Sequence, residues 1–271
     1  MRGYDLGPFG PESVTWRLHS DPVLWLGGIR ALYLQALHPG AMALLEEHST
    51  FRDDPWGRLI RTAGYIGVIS YGTHEEAERA GARVRGVHRR LGLDDPDLLR
   101  WVHCCEVDSF LTVARRAGMR LTDAEADRYV AEQIRAARLA GVPDEGTPRD
   151  VAALAAYFEA VRPLLSGTPA ARSAARYMLY PPMPWKAQLL TPARPAWTLV
   201  ATLSFALLPP WARRLYNAPG LPPIDLAATA TARSLRTALR LLPARLREGP
   251  HYKSAKARLA ATPVRRLEAH P

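Results

Sequence analysis

Residues 95–117 decide the fold of this chain, and they read DPDLLRWVHCCEVDSFLTVARRA. The stretch opens with an Asp-Pro pair typical of a helix start, and Gly118 follows as a typical helix end. The helix predicted between them is apolar on nearly every face, as expected of a helix at the centre of a fold. Inside it, His103, Glu106 and Asp108 need partners, because unpaired buried charges are strongly disfavoured.

The partners of these three polar residues are expected on neighbouring helices. Arg58, Arg61 and Arg85 are the natural candidates, because each falls within an otherwise apolar or small-residue helical pattern. We therefore expect the polar residues of the central helix to support a site from behind, by holding its arginines or orienting a histidine.

The whole chain has 271 residues and is rich in Ala, Leu and Arg. This composition favours helices, and no convincing strand pair is present, so we predict an all-α fold. We expect one globular helical bundle, globin-like in character, with about ten helices. The other predicted helices span residues 22–37, 39–47, 55–71, 73–91, 122–139, 147–161, 196–208 and 225–242.

The ends of the chain and one internal segment depart from this helical pattern. We take residues 1–14 as an N-terminal extension, 15–250 as the domain and 251–271 as a basic tail that frays. Residues 180–195 are rich in proline, which predicts an extended connection.

The charge and cysteine content limit the classes of partner and compartment. The net charge of +10 is spread along the chain and no nucleic-acid motif is present, so we expect a solvated basic surface and no nucleic-acid partner. Cys104 and Cys105 are adjacent and cannot form an ordinary structural bridge, which favours a reducing compartment. No apolar signal segment is visible at the start, so we expect a cytoplasmic protein.

The helix predicted over residues 73–91 carries a histidine on its apolar stripe. The stripe comprises Ala77, Gly81, Val84, His88 and Leu91. Imidazole is a usual haem iron ligand, and the small residues of the stripe would leave room for a flat group. Arg85 lies beside His88 and could pair with a propionate. The alternative is a core histidine held by packing alone.

The helix predicted over residues 55–71 has polar residues on one face. Arg58, Thr62, Tyr65 and Ile69 share this face, and Arg61 lies beside it. Such donors indicate a pocket for an anion or a polarised oxygen. The alternative is that both arginines extend along their stems to solvent.

Two other groups of residues were weighed as sites. His38 and His48 flank a short helix, and Glu46 and Glu47 precede His48, which leaves a non-haem metal site open. None of the spacings of di-iron, zinc-protease or zinc-finger sites is present. Gly27–Gly28 falls inside a helical pattern, so we interpret it as a close-packing site rather than a phosphate cradle.

The apolar run 196–211 is shorter than the roughly 20 residues that a helix needs to span a bilayer. The following residues 209–214, PPWARR, would suit a membrane interface. We expect a buried core helix here, with at most a weak membrane-surface contact through residues 196–214.

Several short motifs, in their order and spacing, resemble a single family. They are Leu37-His38-Pro39, Glu47-His48-Ser49, residues 54–59 (DPWGRL), Arg61-Thr62, Arg85-x-x-His88 and Trp101-Val102-His103. The chain is similar, over about residues 15–250, to the haem oxygenase-like group that contains the fungal MpaB oxygenase and the bacterial latex-clearing proteins (rubber oxygenases). The resemblance implies an all-α fold that binds haem b and uses dioxygen, for example to cleave carbon–carbon double bonds.

The resemblance also implies roles for individual residues. His88 corresponds to the proximal iron ligand, and Arg58 and Thr62 match the arginine–threonine pair of the family's pocket. Arg61 stands where latex-clearing proteins have a lysine, and a permanently protonated guanidinium is a very poor iron ligand. We assign catalysis to Arg58, Arg61 and Thr62, and the contacts to haem b to His88, Arg85, Arg58, Tyr65 and His103.

The sequence therefore predicts a haem b-dependent oxygenase for a small or medium apolar substrate, with dioxygen as its second substrate. The absence of an export signal argues against polyisoprene as that substrate. One alternative is a non-catalytic haem carrier or sensor, with His38, His48 or His103 as a sixth iron ligand. A basic binding module is a third, more distant reading, and the oligomeric state stays open.

Overall fold

The structure, a computed structural model, describes residues 5–48 and 53–261, without the side chain of His48. Within these residues the backbone forms fifteen α-helices and one short 3₁₀ turn, and it contains no strand. The all-α prediction is confirmed, and the helices outnumber the ten expected. Three of the additional helices begin at prolines, Pro169, Pro210 and Pro250, which fit the first turn of a helix.

The helices follow one another along the chain with short connections. Their bounds are α1 Val14–His19, α2 Leu24–Gln35, α3 Pro39–His48, α4 Pro55–Tyr71, α5 His74–Arg90, α6 Pro96–Arg116, α7 Asp123–Ala140, α8 Val151–Val161, α9 Pro169–Leu179, α10 Trp185–Leu190, α11 Ala193–Ala206, α12 Pro210–Leu215, α13 Pro222–Leu241, α14 Ala244–Arg247 and α15 Pro250–Ala260.

The central helix is α6, as predicted. The shorter helix α2 packs along it. The approach is close because of a glycine in α2. A Cβ atom at Gly27 would lie 2.7 Å from Cδ1 and 3.2 Å from Cα of Phe110. Gly27 is therefore a packing site, as its helical context indicated, and it allows the two backbones to meet.

Helix termini follow the local signals of the sequence. The two predicted capping boxes, Thr73 with Glu76 and Thr122 with Glu125, are both formed. Gly141 ends α7 in the left-handed conformation at a φ of 89°. The predicted start of α2 is wrong by two residues, because the helix begins at Leu24 rather than at residue 22.

Two residues of the segment 196–214, for which a weak membrane-surface contact was predicted, make contacts inside the fold. Arg213 is 1% exposed and donates to the carbonyls of Ala206, Leu208 and Pro219 and to the Asp225 carboxylate. The Trp211 ring packs under a guanidinium, that of Arg162, at 5.0 Å. Arg214 is exposed and Trp211 is half-buried, so the weak membrane-surface contact stays a prediction. In the part of the chain that the structure describes, no helix has both the length and the apolar character needed to cross a membrane.

The C-terminal region is more ordered than expected. Instead of fraying from residue 251, the chain forms α15, which packs against α4 with Ala255 fully buried. The rings of Trp16, Tyr71 and Tyr252 meet edge to face at this contact. The remainder of the predicted tail, residues 262–271, lies outside the described residues.

Candidate functional site

A cavity of about 780 Å³ opens between α2, α4 and α6. This volume lies within the roughly 300–1,000 Å³ range of small-molecule sites. Its wall is mostly apolar and includes three tryptophans, Trp25, Trp56 and Trp197. Helices α3, α5, α9, α11 and α15 complete the wall, so the site is assembled from distant parts of the chain.

His88 of α5 lines this cavity. Its Nδ1 atom is buried without a hydrogen-bond partner among the described residues. Burial lowers the pKa of the His88 imidazole, Asp94 opposes this shift and Arg58 adds to it. The ring is therefore biased toward the neutral form, which is the form that binds a metal ion.

The small residues of the His88 stripe have a different role from the one expected. Ala77 and Gly81 are buried, as the stripe predicted. A Cβ atom at Gly81, however, would lie 2.6 Å from the carbonyl oxygen of Leu139. The end of α7 thus fills the space beside Gly81, and this part of the stripe leaves no room for a flat group.

The polar face of α4 is split between the cavity and solvent. Arg58 and Thr62, one helical turn apart, both line the cavity and are exposed near its opening. Arg61 does not line it, because its Nη1 atom contacts the Asp54 carboxylate at 2.9 Å on the exposed surface. The structure therefore brings two of the three residues assigned to catalysis to the same site as His88.

The remaining predicted haem contacts lie behind the cavity wall. The Tyr65 hydroxyl is buried and finds no partner among the described residues. Arg85 donates from Nη1 to the carbonyl oxygen of Leu139 at 2.7 Å, which ties α5 to α7. His103 is 8% exposed, and burial lowers the pKa of its ring to about 4. None of the three lines the cavity.

The polar residues of α6 divide differently from the prediction. Asp108 pairs with Arg30 at 2.7 Å, so the expectation that Arg58, Arg61 or Arg85 would hold it is wrong. Glu106 lines the cavity itself, and no hydrogen bond or ion pair reaches its carboxyl from the described residues. Burial raises the pKa of Glu106 to about 7. Helical spacing could have revealed this position, because Leu99, Val102 and Glu106 fall on one face.

Sequence reasoning also missed His19. It lines the cavity, and its ring nitrogens contact Ser70 Oγ at 2.7 Å and Tyr129 Oη at 3.1 Å. Burial lowers the pKa of His19 to about 3, so the ring is neutral. Since both nitrogens already have partners, His19 is a poor candidate for a metal ligand. Tertiary contacts place His19 at the cavity, so no sequence pattern indicated its position.

The non-haem metal alternative gains no support from the described residues. No group of three or more His, Cys, Asp or Glu side chains in residues 5–48 and 53–261 could hold a metal ion. His38 accepts a hydrogen bond on Nδ1 from the Ala41 amide at 3.3 Å. The side chain of His48 lies outside the described residues.

Comparison with known proteins gives one match. The family model described as "ER-bound oxygenase mpaB/B'/Rubber oxygenase, catalytic domain" matches residues 16–244. These residues include α2, α4, α5 and α6, which carry most of the cavity wall. No curated protein and no solved structure gives a significant match to the chain.

Proposed function

The chain belongs to the mpaB/rubber oxygenase catalytic-domain family, and from that premise we propose that it is a haem b-dependent oxygenase acting on a small or medium apolar molecule. The observation that carries the proposal is His88. A neutral imidazole with an unpartnered nitrogen lines a largely apolar cavity of ligand-binding size. This arrangement fits a histidine that holds haem iron.

The cavity residues fit the charge of the cofactor as well as its apolar body. Arg58 lies near the opening, where a guanidinium can pair with a propionate and remain partly hydrated. Haem b, when bound, supplies the iron centre for the activation of dioxygen. The Thr62 hydroxyl, one helical turn from Arg58 at the same opening, can orient an oxygen atom of a reactant by hydrogen bonding.

The substrate follows from the lining of the cavity. Tryptophan and aliphatic side chains dominate the wall, so they favour an apolar molecule. Among the reactions of the family, we propose oxidative cleavage of a carbon–carbon double bond. One dioxygen molecule is consumed for each double bond, and each of the two carbons becomes a carbonyl carbon.

The test combines a pyridine haemochrome assay with oxygen consumption in the presence of an unsaturated hydrocarbon such as squalene. We expect near-stoichiometric haem b and two carbonyl groups formed for each dioxygen molecule consumed. Protein that carries haem but consumes no dioxygen, and whose reduced form does not bind carbon monoxide, would instead fit a haem carrier or sensor.

A further inference from the structure

Glu106 places an ionisable group on an apolar part of the cavity wall. It projects from the central helix α6, whose other cavity-lining residues are Leu98, Leu99, Val102 and Phe110. Its carboxyl makes no hydrogen bond or ion pair with the residues the structure describes. The side chain is half-buried and faces the cavity, and a carboxyl removed from bulk water in this way costs free energy unless another group satisfies it.

A buried glutamate elsewhere shows how this fold treats a structural carboxylate. Glu132 of α7 is 8% exposed and accepts hydrogen bonds from the amides of Val14 and Thr15, the Thr15 hydroxyl and the Arg128 guanidinium. It thereby holds the start of α1. Glu106 has the same chemistry and none of these contacts, so a role in holding helices together does not account for it.

The groups around Glu106 do not neutralise it. Tyr65 of α4 and Tyr129 of α7 are near enough for the charge of Glu106 to add to the effect of burial on their pKa values. The charge of Glu106 also contributes to the raised pKa of the neighbouring Cys105 thiol. Arg85, whose charge also acts on Tyr65, donates to the Leu139 carbonyl. The Arg85 guanidinium is thus held by a backbone carbonyl rather than by Glu106, and burial raises the pKa of Glu106.

We propose that Glu106 is the polar anchor of the cavity and binds the hydroxyl group of an otherwise apolar ligand. This inference rests on the proposed function, because it assigns the ligand to the same cavity. A hydroxyl both donates and accepts, so it satisfies a carboxyl whether that group is protonated or ionised. An ammonium group would have to be desolvated with it, and a carboxylate would be repelled.

The test compares two ligands of equal chain length, 1-octanol and 1-chlorooctane, on the full-length protein with the cofactor it carries. Binding is measured by depletion of the free compound from the headspace. We expect the octanol-to-chlorooctane affinity ratio of the wild type to exceed that of Glu106→Leu by about fivefold, the effect of one hydrogen bond. The hydration of octanol and of chlorooctane is the same for every protein, so it cancels when the affinity ratios of two proteins are compared.

Two further variants separate recognition from structure. Glu106→Gln keeps a donor and an acceptor, so it should retain the wild-type ratio within about twofold. Glu132→Gln, the matched control, should leave the ratio unchanged and lower the thermal midpoint. Glu106→Leu should raise that midpoint, because an unpartnered polar group is removed.

Equal ratios in the wild type and Glu106→Leu would overturn the proposal. A fall in the midpoint of Glu106→Leu to match that of Glu132→Gln would overturn it too, because it would indicate a structural carboxyl. A colourless protein that still discriminates octanol would contradict haem binding while leaving the Glu106 anchor intact, so the two failures are distinguishable.

Discussion

At the scale of single residues, two acidic side chains two positions apart on α6 have opposite environments. Asp108 pairs with Arg30, a residue of α2 that is 2% exposed, whereas Glu106 faces the cavity without a protein partner. The sequence predicted that both are buried and need partners. It could not assign the partners, because Arg30 lies far from Asp108 along the chain and only the packing of α2 on α6 brings them together.

The environment of Glu106 predicts a specific dependence of stability on pH. Its pKa rises from 4.5 in the unfolded chain to about 7 in the folded protein, so the folded state holds the proton more tightly. Stability is therefore lost as pH rises from about 4.5 through 7. Glu106→Gln does not titrate and should gain on the order of 3 kcal/mol over the wild type at high pH.

The measurement is urea unfolding of both proteins at pH 5 and pH 8. The difference in unfolding free energy should be small at pH 5 and close to its full value at pH 8. A difference that does not change between these pH values would contradict a raised pKa at Glu106.

At the scale of helices, capping residues and helical periodicity in the sequence located most of the long helices. Capping boxes and glycine stops placed α5, α6 and α7 within a residue or two of their observed ends. The extra short helices α10 and α14 escaped prediction because six and four residues are too few to show a helical period. Residues 180–195, expected to be extended, contain one of them, α10.

The contact between α2 and α6 predicts different outcomes at adjacent glycines. Gly27→Ala would bring a methyl group to 2.7 Å from the Phe110 ring and 3.2 Å from its Cα, so the helices must separate. We expect a loss of about 1–3 kcal/mol in unfolding free energy, as in an overpacked core. Gly28→Ala meets nothing closer than 4.0 Å and should be neutral or stabilising, by up to about 1 kcal/mol. Equal destabilisation by both changes in a urea titration would contradict this packing.

At the scale of the whole molecule, the all-α class and the central helix were predictable, because composition and helical periodicity determine them. The site was predictable in part. Helical spacing put Arg58 and Thr62 on one face and the family resemblance grouped them with His88, and all three line the cavity in the structure. The outward position of Arg61 could not be anticipated, since it depends on pairing with Asp54 rather than on the helical face alone.

Helix α15, near the C-terminus, forms part of the wall of a cavity that is built mainly by helices far from it along the chain. His251 and Tyr252 line the cavity, and the fully buried Ala255 seats the helix on the rest of the fold. Ala255→Asp would bury an unpaired carboxylate, so we expect α15 to detach and the cavity to open. Trypsin cleavage at Lys253 should accelerate roughly tenfold or more, because the open form becomes more populated. Ala257→Asp, at an exposed position of the same helix, should cleave at the wild-type rate, and equal cleavage of both variants would contradict this arrangement.

The account depends most directly on iron binding by His88, so the decisive measurement is an absorption spectrum of haem-reconstituted protein for the wild type, His88→Ala and His74→Ala. His74 is an exposed histidine of the same helix that pairs with Asp5, and it serves as the matched control. We predict a Soret band in the wild type and His74→Ala that is lost or shifted in His88→Ala. A colourless wild type after haem is supplied, or an unchanged spectrum in His88→Ala, would contradict the central claim.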